Sequence, residues 1–118
     1  SCFGDLISNV VQIQVDPKQR RDRKTVSVVA FLAFLNKRRT KKGSMMASFR
    51  LEQGKFDFIE AVAFEKTLNT LEDVEPQTMV KADFYVEAGF SEGERRYTIK
   101  SITSLEKIRL EKIKNVRK

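Results

Sequence analysis

Lys37, Arg38, Arg39, Lys41 and Lys42 form one short cationic run with no acid inside it, followed at once by Gly43 and the alternating segment MMASFRLE. Clustered cations of this kind displace the condensed counterions of a nucleic-acid backbone, so phosphate binding is the chemistry they suit. Arg50 in the alternating segment, and Arg95 with Arg96 near the far end of the chain, are further candidates for the same anions. Holding a single strand also calls for exposed rings on which bases stack, each worth ~1–3 kcal/mol. Phe90, at the tip of the last hairpin, and Tyr85, on an outward strand position, are the candidates for stacking. The competing reading of the run is a solvated hairpin tip that keeps the protein dispersed.

Other chemistries are excluded by composition. Histidine is absent and Cys2 is the sole cysteine, which removes intramolecular disulfides, thiolate or imidazole zinc sites, cysteine–histidine nucleophiles and Ser-His-Asp triads. Asp57 with Glu60, and Glu72, Asp73 and Glu75, are close only along the chain, without the spacing that a metal or an acid–base pair needs. They count as solvated acids, and no catalytic residue, metal, cofactor or small-molecule substrate is expected of this fragment.

The elements that must position the cations follow from periodicity. TVSVVAFLAFL, residues 25–35, is rich in β-branched and aromatic residues without a breaker and predicts a long central strand, with a buried helix as the competing reading. Its early alternation gives way to a continuous apolar stretch, as in a strand that bends and becomes buried on both faces; Phe31 or Phe34 then joins the core. MASFRLE alternates with Ala47, Phe49 and Leu51 on one side and Met46, Ser48, Arg50 and Glu52 on the other. Gln53-Gly54-Lys55 supplies a turn into a third strand, residues 56–64, whose Phe56 and Phe58 are compatible with either face. EKTLNTLEDVEP predicts one short helix with Leu68 and Leu71 at helical spacing and Pro76 closing it. MVKADFYVE then puts Val80, Ala82, Phe84 and Val86 inward, and a turn from Gly89 to Gly93 leads to RRYTIKSIT as a last strand.

Three strands, a short helix and two strands match an all-β, five-stranded OB barrel, with Leu68 and Leu71 as the plug at its base. In that fold the ligand face is made by strands two and three, framed by the loops between strands one and two and between strands four and five. The cationic run is the first of those loops, Met46, Ser48 and Arg50 carry it onto the sheet, and Arg95 and Arg96 arrive from the second.

At 118 residues the chain suits one domain, residues 25–104, with extensions. In the first, residues 1–24, the alternation of Val11, Ile13 and Val15 predicts an extra strand before the basic loop PKQRRDRK. In the second, residues 105–118, Leu105 and Ile108, with Leu110 or Ile113, form the stripe of a basic amphipathic helix or tail, which as a helix cut from its parent packs poorly or frays. Lysine and arginine number 23 against 16 acids, a formal charge of +7, which favours polyanions. No run approaches the ~18 apolar residues of a membrane span and the start lacks a signal-peptide plan, so a soluble, cytoplasmic protein is expected. The opening serine fits a piece cut from a larger protein, or a processed start.

Residues 40–64, TKKGSMMASFRLEQGKFDFIEAVAF, resemble the segment around the TKkG-x-x-MAF-x-x-LeD signature in the OB domain of the bacterial DNA polymerase III alpha subunit. Thr40, Lys41, Lys42, Gly43, Met46, Ala47, Leu51 and Glu52 fall on the signature, and Ile59, Glu60, Val62 and Phe64 on the strand after it. The likeness extends over about residues 26 to 104. This chain departs from the pattern at Ser48, where the family has an aromatic, and at Phe31, where it has glycine. It also lacks the proline after Phe64 and the glycine of strand four. The resemblance implies a divergent member, or a related OB domain of another nucleic-acid protein. It implies an accessory module that binds single-stranded DNA without sequence preference, in a replicase whose nucleotidyl transfer lies elsewhere in the parent chain. Docking onto other replisome parts and binding of RNA, as in the anticodon-binding domains of tRNA synthetases, are the alternatives.

Overall fold

The computed structural model describes residues 4–16, 18–19, 23–71, 74–91 and 93–116; Cys2, Pro17, Arg20, Arg21 and Asp22 of the expected basic loop, and the acids Glu72 and Asp73 lie outside them. Five strands form a closed barrel: β1 (Lys24–Arg39), β2 (Met45–Glu52), β3 (Phe58–Phe64), β4 (Thr78–Ala88) and β5 (Arg95–Ser104). Their order around the barrel is β1-β2-β3-β5-β4, closed by the β1–β4 pair. All pairs are antiparallel except β3–β5. This is the OB arrangement that the succession of short amphipathic strands predicts. The inward rows Val26-Val28-Ala30-Leu32, Ala47-Phe49-Leu51, Ile59-Ala61-Ala63 and Val80-Ala82-Phe84-Val86 are all buried and, with Ile99 and Ile102, fill the barrel.

One correction concerns the second half of β1. Rather than becoming buried on both faces, the strand keeps alternating and changes phase. Its register to β2 runs Leu32↔Leu51 and then Phe34↔Arg50, so a bulge at Ala33 absorbs one residue. Val26, Val28, Ala30 and Leu32 point inward before the bulge; Leu35 faces inward after it, opposite Phe49. Phe34 is therefore turned out, 45% exposed, and Phe31 is only half-buried. Gln77, at φ +66°, holds the bulge: its backbone N–H donates to the Leu32 carbonyl at 2.7 Å and its side-chain amide to that of Ala33 at 2.7 Å. The bend that lets β1 pair with both β4 and β2 is thus made by a bulge and a glutamine, without a glycine.

The N-terminal segment is a second correction. Residues 11–16 form no strand; instead a helical turn, α1 (Ile7–Val10), precedes them. Ile7 and Val10 are each 1% exposed and belong to the core, because i, i+3 spacing puts both on the side that caps the barrel beneath the β2–β3 turn. Ile13 and Val15 pack more loosely against it. Gln53 stitches this plug in place. Its Oε1 accepts the Ile7 N–H at 2.7 Å, and its Nε2 donates to the carbonyls of Val29 at 2.9 Å and Asp5 at 3.3 Å. Gly4 bridges to Val28 at φ +81°, where an added Cβ would lie 2.6 Å from the Ser27 carbonyl. Gln53→Ala strands the Ile7 N–H and the Val29 carbonyl, and is expected to cost about 1–3 kcal/mol in urea denaturation.

The other barrel end is closed by α2 (Glu65–Leu68), a shorter helix than expected, which carries Leu68 while Leu71 follows it outside the helix. Leu68, Leu71 and Val74 pack against the core, lining a small cavity of about 30 Å³ with Leu35, Lys37 and Phe49. The last element, α3 (Leu105–Val116), is helical as predicted, with Leu110 and Ile113 left exposed. Among the described residues no helix is long and apolar enough to cross a membrane.

Candidate nucleic-acid interface

Strand register defines the outer face of the β1–β2–β3 sheet. Its cross-strand rows are Arg38–Met46–Phe64, Asn36–Ser48–Val62, Phe34–Arg50–Glu60 and Phe31–Glu52–Phe58. Met46, Ser48 and Arg50 stand there together, as alternation predicts, and Arg38 joins them from β1. The cationic run is only partly a loop: β1 continues through Arg39, and the turn proper is residues 40–44. Thr40 and Ser44 close that turn, the Thr40 N–H donating to the Ser44 carbonyl at 2.7 Å, with Gly43 at φ +87°. Lys41 and Lys42 are exposed at its tip, and among the described residues neither they nor Arg38 form an ion pair.

Other candidates are dispersed. Lys37 pairs with the inward residue Ala47 and stands at the barrel mouth beside Leu68, off the sheet face. Arg39 donates from Nη1 to the Gly43 carbonyl at 2.7 Å, bracing its own turn. At the β3 edge, the parallel pair Val62↔Thr98 aligns the outer rows, so Arg96 reaches that flank; its Nη2 lies 3.3 Å from Glu87 Oε2. Arg95 shares the inward row with Tyr97. Tyr85 lies on β4 between Thr25 and Thr98, two strands beyond β3, with the Arg23 guanidinium 4.1 Å from its ring centre. Phe90 is 96% exposed on the β4–β5 turn, 5.8 Å from the Arg96 guanidinium.

Three rings that sequence reasoning did not select stand on the sheet face. Phe34, Phe58 and Phe64 are each 45% exposed. Each is a large apolar group held half in water, on strands whose buried inward positions are filled by valine, alanine, isoleucine and leucine. The available signal was the inward set Ile59, Ala61 and Ala63: once those three are assigned to the core, Phe58 and Phe64 must point outward. Aromatic surface is therefore present beside Ser48, supplied by the two neighbouring strands. Asp57 lies in the β2–β3 turn and Glu60 opposite Arg50, and they do not form a carboxylate pair facing a common cavity.

Among the described residues one titration is shifted. Tyr97 is half-buried against Phe84, edge-to-face at 5.9 Å, and burial raises its phenol above the ordinary value of 10.0, opposed in part by Arg95. The folded state thus holds this proton more tightly than the unfolded state. The associated stability is present below pH about 10 and is lost as pH rises through the higher folded value. Urea midpoints are expected to fall above pH about 10, and Tyr97→Phe should remove part of that fall.

A scan against protein-family models finds no match to this chain, and a search of curated proteins finds none either.

Proposed function

We propose that this domain binds single-stranded DNA, without sequence preference, on the outer face of β1–β2–β3, as an accessory module of a bacterial replicative polymerase. The observation that carries the reading is the conjunction on one sheet of three half-exposed rings, Phe34, Phe58 and Phe64, with Arg38 and the exposed tip Lys41–Lys42. Cations supply the salt-sensitive grip on phosphates and the rings supply sequence-tolerant surfaces for bases. Ser48 stands at the centre of the face, between Asn36 and Val62. The replicase context rests on the resemblance of residues 40–64, and the domain acts there by binding, with the chemistry elsewhere.

Fluorescence anisotropy with single-stranded DNA, single-stranded RNA and duplex at two salt concentrations tests this. Tightest binding to single-stranded DNA, weakening steeply with salt, is expected. Equal or tighter binding of RNA would move the domain to RNA recognition, and no binding at low salt would end the reading.

A further inference from the structure

Arg50 is set apart from the other cations of the face by how it is held. Its Nε donates to Glu52 Oε1 at 2.8 Å, and its Cζ lies 3.8 Å from the centre of the Phe58 ring. Both contacts follow from the sheet. Arg50 and Glu52 are i, i+2 neighbours on one face, and Phe58, directly opposite Glu52, is the diagonal neighbour of Arg50. A hydrogen bond at one edge and a ring against one face leave a planar guanidinium little freedom. About a third of each side chain of the ion pair remains exposed.

That arrangement is poor for gripping a phosphate. The charge is already opposed by a carboxylate at contact distance, so an approaching backbone would meet Glu52 as well as Arg50. What remains on offer is a flat cationic surface already layered on an aromatic ring, which is a stacking surface for a π-system. We infer that Arg50, positioned by Glu52 and Phe58, is a nucleobase-stacking residue of the β1–β2–β3 face rather than one of its phosphate contacts. The inference rests on the proposed single-strand binding and deepens it, since it assigns the base-contacting element on β2, the strand that carries Ser48 in its middle. Lys41 and Lys42 at the hairpin tip remain the phosphate contacts.

The test compares an oligothymidylate of about 12 nucleotides, within the span of one OB barrel, with an abasic oligonucleotide of equal length. Affinity for each is measured over a salt series for the intact chain and its Arg50→Lys variant, which keeps the charge and loses the plane. Arg50→Lys is expected to weaken oligothymidylate binding about tenfold and to leave abasic binding and both salt slopes unchanged. Phe58→Leu, which removes the backing ring, should act in the same direction. Equal weakening of both oligonucleotides, a salt slope smaller by about 0.7, or no change would overturn the stacking role. Equal wild-type affinity for the two oligonucleotides would overturn it while leaving an electrostatic single-strand site intact. Failure of the wild type to bind either at low salt would instead remove the site itself.

Discussion

Ile7→Ala is expected to lower the unfolding free energy by about 2–5 kcal/mol, as much as truncating a strand residue inside the barrel. Ile7 precedes every strand, yet only 1% of it is exposed, and its removal opens a void beneath the β2–β3 turn where Val10 and the core meet. The neighbouring Leu6, 57% exposed, serves as control; Leu6→Ala should change stability by less than about 0.5 kcal/mol. Urea denaturation of both variants decides the matter. If Ile7→Ala were as mild as Leu6→Ala, the N-terminal turn would be a decoration and a domain beginning near residue 25 would be complete. If the expected loss is found, a chain begun there should be strongly destabilised, lacking the plug and leaving Gln53 Oε1 without the Ile7 N–H.

The second large effect concerns binding. Charge reversal in Lys41→Glu/Lys42→Glu is expected to weaken single-strand affinity at least tenfold at low salt and to lower the slope of log affinity against log salt by about 1.4, the share of two phosphates on a single strand. The fold should survive, because both side chains are exposed and the turn is made by the Thr40–Ser44 backbone bond and Gly43. Far-ultraviolet circular dichroism checks that point, and anisotropy across a salt series reads the slope. Unchanged affinity at low salt would remove the hairpin tip from the interface and make its charges a solvated end.

Much of this architecture was legible from residue spacing, and the exceptions have physical causes. Strands β2 and β4 alternate cleanly between apolar and polar residues, so their inward rows follow directly from a period of two. The end of β1 does not: an apolar run has no polar partner row to give its phase, and the bulge at Ala33 reverses the phase in the middle of it. Phe34 accordingly moves from a core expectation to the surface. At the N-terminus two periodicities overlap, Ile7 and Val10 at helical spacing and Val11, Ile13 and Val15 at strand spacing, and the shorter helical signal prevails. It prevails because its two side chains find a cavity to fill and its freed N–H finds Gln53. Long-range stitches of that kind leave no local pattern. On the candidate interface, the dense charge run was conspicuous, but its division between strand and turn depends on where β1 stops, and the Arg50–Glu52–Phe58 grouping depends on cross-strand register.

The hydrogen bond from Ile7 to Gln53 joins residues 46 positions apart, and it has a consequence for the order in which the molecule is made. The N-terminal plug is made before the strands it docks against and has nothing to dock on until the β2–β3 turn exists. The barrel beneath it stays open until β5, the last of the five strands, pairs with β3. Assembly therefore waits on distant contacts, and refolding is expected in milliseconds to seconds rather than microseconds. The Ile7 amide should then exchange with solvent only through global opening. Exchange faster than that of the core β4 amides would show that the plug undocks by itself.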